Sequence, residues 1–177
     1  MKILISANVV WWNASAYYAV TAAQALSARG HDVTVLAHYL TPAFRQGQDR
    51  GLKVEGEFQL LSKNPLKLWG IQRGLRAWLE REKFDLINPH RPEDYFHLAL
   101  ANRSRGHKSK LVRTVSDVRI PAKNPLNRLL HRRWTDGLIY CALCCRERYL
   151  QDLNLAGIPE MVIYSALDVE TYRAGDW

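Results

Sequence analysis

The chain has 177 residues, 47% of them hydrophobic, and carries a formal net charge of +8 at pH 7. Such a length and composition suit one packed domain and exclude a disordered or low-complexity chain. No apolar run reaches the ~18 residues of a membrane span, and the apolar start Met1–Ile5 breaks at Ser6 before a signal-peptide core develops, so the expected location is cytoplasmic.

The chain reads as alternating strands and helices. Lys2–Ala7 is a short apolar run and predicts a buried strand. From Ser15 to Arg29, Ala16, Ala19, Val20, Ala23 and Leu26 recur at helical spacing, with Asn13 or Ser15 as cap and Gly30 as stop. Asp32–Ala37 is β-branched and predicts the second strand. Tyr39–Arg50 is expected to be loop. Leu52–Leu61 predicts one strand, or two short ones around Gly56. Pro65 opens a helix with Leu68, Ile71, Leu75, Trp78 and Leu79 on one face.

Further along, Asp85–Asn88 predicts a strand, Pro92–Arg103 a helix, Leu111–Val115 a strand and Pro125–Trp134 a short helix. Gly137–Ala142 and Met161–Tyr164 predict strands on either side of a helix at Cys144–Leu155. Strands separated by helical stretches pair in parallel through right-handed crossovers. The expected fold is α/β: one Rossmann-like, doubly wound parallel sheet over residues 1–177. Its site lies at the carboxyl ends of the strands. The segments that converge there are 8–15, 38–39, 89–94, 116–123, 141–145 and 165–168.

The first of these segments, Asn8-Val9-Val10-Trp11-Trp12-Asn13-Ala14-Ser15, contains no glycine. A Gly-x-Gly-x-x-Gly dinucleotide turn is therefore absent, as are a P-loop and a Gly-x-Ser-x-Gly nucleophile elbow. Cys141, Cys144 and Cys145 form one odd cluster without a second Cys/His pair at zinc spacing. They read as small buried residues at a strand–helix junction, and no metal site is expected.

Charge is uneven. Between Arg103 and Arg133 stand ten Lys/Arg against Asp117 alone, a local +9, while the remaining fifteen Lys/Arg and sixteen Asp/Glu nearly cancel. A basic segment of this kind suits phosphates, an anionic membrane or a solvated surface. Nucleic acid is the weaker partner, because the stretch lacks interleaved aromatics other than Trp134. The Pro125–Trp134 helix sets Leu126, Leu129, Leu130 and Trp134 beside Arg128, Arg132 and Arg133. It reads either as a membrane-surface anchor or as a helix docked on its own sheet.

Five words in order resemble the family-four glycosyltransferases of GT-B fold. They are the opening strand, loop and helix with Arg29-Gly30-His31-Asp32-Val33-Thr34-Val35, then Phe84–His90, Lys110–Asp117, Asp136–Cys141 and Gly157–Asp168. The resemblance spans nearly the whole chain. It implies the acceptor-binding N-terminal domain of a retaining enzyme in cell-surface polysaccharide or lipopolysaccharide assembly. The co-substrate would be a nucleotide-diphosphate sugar, with no metal or other cofactor.

The resemblance further implies that a C-terminal nucleotide-sugar domain, carrying the family's Glu-x7-Glu motif, is absent from this chain, and that the domain alone is inactive. Other implied partners are a glycan or lipid-linked acceptor and the inner face of the membrane. His90 and Asp117 are the implied catalytic residues. Trp11, Trp12, Asn13, Ser15, Arg91, Ser116 and Arg119 are candidates for acceptor contacts, and Ala14 and Ser15 for donor phosphates. Glu93 and Asp94 read as acceptor contacts or as a solvated helix start. His31 reads as structural, and Tyr17 and Tyr18 as packing.

Three departures from the family pattern are visible. Asn13-Ala14-Ser15 stands for the usual Gly-Gly, Ser116 for a histidine, and Ser165-Ala166 for Asn-Gly. The alternatives are half of a GT-B nucleotide-sugar epimerase, or a basic module that binds membrane or nucleic acid.

Overall fold

The computed structural model describes residues 1–60, 64–106, 108–116, 122–151, 155 and 157–166. Its strands are β1 (Lys2–Ser6), β2 (Asp32–Leu36), β3 (Lys53–Glu55), β4 (Leu86–Pro89), β5 (Lys110–Val115), β6 (Gly137–Tyr140) and β7 (Glu160–Val162). Its helices are α1 (Ala14–Ala28), α2 (Pro42–Asp49), α3 (Pro65–Glu82), α4 (Pro92–Ser104), α5 (Pro125–Trp134) and α6 (Leu143–Leu150). All strand pairs are parallel, in the order β3-β2-β1-β4-β5-β6-β7. The α/β doubly wound sheet expected from the sequence is the sheet observed.

The two-residue alternation of the strands divides the core. Ile3, Ile5, Val33 and Val35 face α1 and pack with Ala16, Ala19, Val20 and Ala23. Small helical residues let α1 lie close to the sheet. On the other face Leu4, Leu36, Ile87 and Leu111 meet Leu75, Trp78 and Leu79 of α3 and Leu98 of α4. A third cluster joins Val115, Leu138 and Tyr140 to Cys145 and Tyr149 of α6.

One segment expected as loop is helical. Within Tyr39–Arg50, α2 starts at Thr41, whose hydroxyl accepts from Phe44 N (3.3 Å), with Pro42 in the first turn. Its middle, Arg45-Gln46-Gly47-Gln48, lacks an apolar stripe because only Ala43 and Gly47 are buried. A Cβ on Gly47 would lie 2.8 Å from Val54 Cγ2, so the contact with β3 needs glycine. The cap signal was present, but periodicity could not report it. Leu52–Leu61 yields the single short strand β3.

The basic 103–133 segment does not form one surface. Arg113 is buried, Arg105 pairs with Glu80, and Lys110 pairs with Asp136. In α5, Leu130 is buried and Trp134 packs against the core, leaving Leu126 and Leu129 exposed beside Arg128, Arg132 and Arg133. The expected apolar stripe is therefore split. Leu130 is buried in the core and withdrawn from any membrane role, while Trp134 is partly buried against it.

Candidate functional site

The chain builds β1, β2 and β3 outward in one direction, then returns to place β4 on the other side of β1. This reversal opens a crevice beyond the carboxyl ends of β1 and β4. A cavity of about 250 Å³ sits there, lined by Val9, Asn13, Ala14, Ser15, His90, Arg91, Pro92 and Ser116. Three separate loops contribute to it, and each is one that the sequence reading singled out.

The start of α1 forms one wall. The Asn13 side chain accepts from Ala16 N at 3.0 Å. The first N–H groups of a helix have no intrahelical acceptor, so those of Ala14 and Ser15 remain available to an anion, favoured by the helix dipole. Ser116 Oγ donates to Ser15 Oγ at 2.8 Å and ties the end of β5 to this helix start.

His90 is held from behind. Asn88 donates its amide to Val112 O and to Thr114 Oγ1 (2.9 Å), which leaves Asn88 Oδ1 to face His90 Nε2 at 3.0 Å. That network assigns the proton to Nε2. Nδ1 is then a bare acceptor, buried and without a partner among the described residues. Burial lowers the His90 pKa to about 3. The imidazole is therefore neutral near pH 7. It suits a hydroxyl donor.

Asp94 corrects another expectation. It is neither a solvated helix start nor an acceptor contact, but fully buried in the first turn of α4. Its carboxylate accepts from Ser6 Oγ (3.0 Å) and Asn8 N (3.1 Å). Asn8 Oδ1 in turn accepts from His38 N at 2.6 Å. One carboxylate thus fixes the ends of β1, β2 and α4 beneath the crevice. Burial raises its pKa to about 6 against those hydrogen bonds. Ser6, Asn8, Asn88 and Thr114 are the residues the sequence reading missed. Their signal was a polar side chain at or just beyond the end of an otherwise apolar strand.

The other candidates fall into place unevenly. Arg91 lines the cavity, and its Nε reaches Glu93 at 3.2 Å. Trp11 and Trp12 are exposed and do not line it; Trp12 meets the edge of Tyr17 instead, with ring centres 6.3 Å apart. Tyr18 is half-buried, its ring 5.6 Å from that of His90 and its hydroxyl donated to Ile163 O (3.0 Å). Asp117, Arg119 and Asp168 lie outside the described residues. Cys141 and Cys145 stand 3.6 Å apart at the β6–α6 junction, and no cluster of three metal-ligating side chains occurs among the described residues.

The comparisons with known proteins agree with the fold. Residues 15–171 match the model of Glycosyltransferase Family 4. No curated protein matches the chain in sequence. Among solved structures, Anabaena Alr3699/HepE in complex with UDP and glucose superposes with a TM-score of 0.77 at 16% identity, over 97% of this chain and 46% of that one. The apo lipopolysaccharide outer core galactosyltransferase WaaB gives 0.70 at 10% identity, over 94% and 46%. A putative UDP-N-acetylglucosamine 2-epimerase from Listeria monocytogenes gives 0.62 at 14% identity, over 84% and 41%. At these identities the structures share the fold, and the chain spans less than half the length of each. Because the family model covers most of its length, the chain belongs to Glycosyltransferase Family 4.

Proposed function

We propose that the chain is the acceptor-binding half of a retaining glycosyltransferase that moves a sugar from a nucleotide-diphosphate donor to a glycan or glycolipid. The observation that carries this reading is the crevice at the β1/β4 reversal, where an open helix start, a cation and a bare imidazole acceptor meet. In it, the N–H groups of Ala14 and Ser15 and the Arg91 guanidinium attract donor phosphates. His90 Nδ1 accepts from the acceptor hydroxyl and orients it toward the sugar. With a pKa near 3, His90 positions the hydroxyl and does not remove its proton. The main rate gain expected of this half is orientation. A second domain is proposed to hold most of the nucleotide-sugar, with closure of the two halves excluding water. The reaction is proposed to need no metal and to take place at the cytoplasmic face of the membrane in surface-polysaccharide assembly.

The test uses the whole protein, a panel of labelled UDP- and GDP-sugars, and bacterial lipid extract as acceptor. Labelled lipid with stoichiometric release of nucleoside diphosphate supports the reading. His90→Ala should lower acceptor use about tenfold, the worth of one lost hydrogen bond in a dry site. Conversion of one nucleotide-sugar into its epimer, without release of nucleotide, would replace the transfer reading with the epimerase reading.

A further inference from the structure

The outward face of α3 joins exposed apolar and basic residues on one helix. It carries Leu66, Trp69, Arg73, Arg76, Ala77 and Glu80, all exposed, at spacings of one helical turn. Leu66 is 82% and Trp69 64% exposed. The inner face, with Leu75, Trp78 and Leu79, already fills the core, so packing gives no reason for a second tryptophan pointing outward. Arg73 lies over the Trp69 ring at 4.9 Å, which keeps an aromatic face and a cation together at one level of the helix.

A cleft of about 470 Å³ continues this face toward the α4–β5 turn. It is lined by Arg73, Arg76, Ala77, Glu80, Ser104, Arg105 and Lys108. Four of these are cations and one is an acid. Arg105 Nε and Lys108 Nζ hold Glu80 at 2.9 and 2.6 Å, and its pKa is lowered to about 2. The acid is thereby used up, while Arg73 and Arg76 have no carboxylate partner among the described residues. The Arg105 side chain is only 2% exposed, and its Nη1 is buried without a partner. Glu80 thus satisfies Arg105 through Nε alone, and the buried Nη1 still lacks an acceptor among the described residues.

We propose that the outer face of α3 and the adjoining basic cleft form a docking surface for an anionic phospholipid bilayer. Leu66 and Trp69 enter the headgroup interface, and Arg73, Arg76, Arg105 and Lys108 receive a lipid phosphate. Charge complementarity selects this occupant. Tryptophan is favoured at the level of lipid headgroups, where its ring is half in the apolar layer and half in water, and an exposed apolar turn beside a cation cluster is the pattern of an interfacial helix. The competing surface, α5, exposes two leucines and no aromatic ring, since Trp134 packs against the core. This proposal deepens the glycolipid-acceptor reading but is tested without donor or acceptor sugar, so transfer and docking can fail separately.

The experiment is sedimentation of the protein with vesicles of phosphatidylcholine and phosphatidylglycerol, three to one, against pure phosphatidylcholine. Binding to the anionic vesicles alone is expected. Arg73→Gln and Arg76→Gln should each lower the partition coefficient about fivefold, the effect of one basic residue at an anionic surface. Trp69→Ser should lower it at least as much. These residues are exposed, so Tm should stay unchanged and unfolding cannot mimic the loss.

Equal binding to neutral vesicles would overturn the proposal, as would unchanged binding by the Arg73 and Arg76 variants. Retention by Trp69→Ser while the arginine variants lose binding would reduce the surface to a general polyanion patch and overturn it too. Loss on Leu129→Asp with the α3 variants intact would move docking to α5. Displacement by inorganic phosphate, at an ionic strength where chloride has no effect, would make the cleft a free-anion site and not a bilayer contact.

Discussion

The fold buries ionisable groups in two places and satisfies them differently. Under the crevice, Asp94 accepts hydrogen bonds from Ser6 and Asn8, and His90 Nε2 donates to Asn88 Oδ1. Between β5, α4, α5 and α6, Arg113 has no carboxylate partner among the described residues; it lies over the rings of Tyr95 (4.4 Å) and Tyr149 (5.2 Å). His131 completes that cage. Its Nδ1 donates to Asn127 O at 2.7 Å, so Nε2 accepts from the Tyr149 hydroxyl and faces Arg113 Nη1 at 3.4 Å. The aromatic cage leaves Arg113 Nε without a hydrogen-bond partner among the described residues but covered by rings, and it stabilises packing. Among the described residues, the crevice network leaves Asp94 Oδ1 and Asn8 Nδ2 without partners in its interior and His90 Nδ1 without one in a residue that lines the cavity. Buried polarity thus marks a site when an unsatisfied atom meets open space, and a joint when rings seal it.

The largest expected effect tests the cage. Tyr149→Ala removes a fully buried ring, a hydrogen bond and a cation–π face, and should cost about 4 kcal/mol by urea unfolding. Tyr149→Phe should cost about 1 kcal/mol, because the ring stays. Neither should change affinity for a nucleoside diphosphate per folded molecule. A change in affinity would dissolve the distinction between joint and site.

Next, Asp94→Leu leaves Ser6 Oγ and Asn8 N buried without their acceptor and should cost about 2 to 3 kcal/mol. Asp94→Asn keeps an acceptor oxygen, removes the buried charge, and should cost less than ~1 kcal/mol at pH 7. Should Asn prove as damaging as Leu, the carboxylate charge itself would be needed, and the reading of Asp94 as a hydrogen-bond staple would be wrong.

Acid separates the two regions through their histidines. Burial holds His90 near 3 and His131 near 4, below the ordinary 6.5, with the Arg113 charge adding to burial for His131. Below about pH 6.5 the unfolded chain binds protons that the folded chain refuses. Their contribution is full above that pH and is lost as the pH falls toward 4. Asp94, raised to about 6, opposes this: its contribution is present below about pH 4 and lost as the pH rises through 6. Two histidines against one aspartate leave a net loss on acidification. His131→Gln should reduce the fall between pH 6.5 and 4.5 by up to about 1.4 kcal/mol per pH unit. An unchanged slope would mean that His131 is protonated within the fold.

The smallest effect is expected at the crevice wall. Ser116→Ala removes the bond to Ser15 and should change stability by about 1 kcal/mol or less. It should raise the KM for donor with little change in Tm. A shift in Tm without a shift in KM would assign the Ser15–Ser116 pair to the joint class.

The elements were legible where burial repeats along the chain. β1, β2, α1 and α3 follow their apolar spacing, and Asn13 caps α1 as its side chain and position require. α2 was not legible, since its buried residues are a glycine and an alanine and Phe44 adds one partly buried contact, too little for a hydrophobic pattern. Of the site, the loops were legible from strand order: His90, Arg91, Asn13, Ala14, Ser15 and Ser116 line one cavity although 101 residues separate Ser15 from Ser116. Trp11 and Trp12 were placed on the right loop but outside the cavity, because sequence gives a loop's position and not the direction of its side chains.

By itself, the sequence determined the parallel sheet, the crevice at its reversal point and the family, because these follow from local periodicity and the order of short words along the chain. Tertiary structure alone decided which charges are buried. Asp94 and Glu93 are neighbours in one helix start, and the basic run from Arg103 to Arg133 reads as uniform. Yet Asp94 is sealed under β1 and Arg113 is caged by tyrosines, while Arg128, Arg132 and Arg133 stay exposed. Desolvation depends on what the rest of the chain brings to a residue, and that is a property of distant packing that no local pattern encodes.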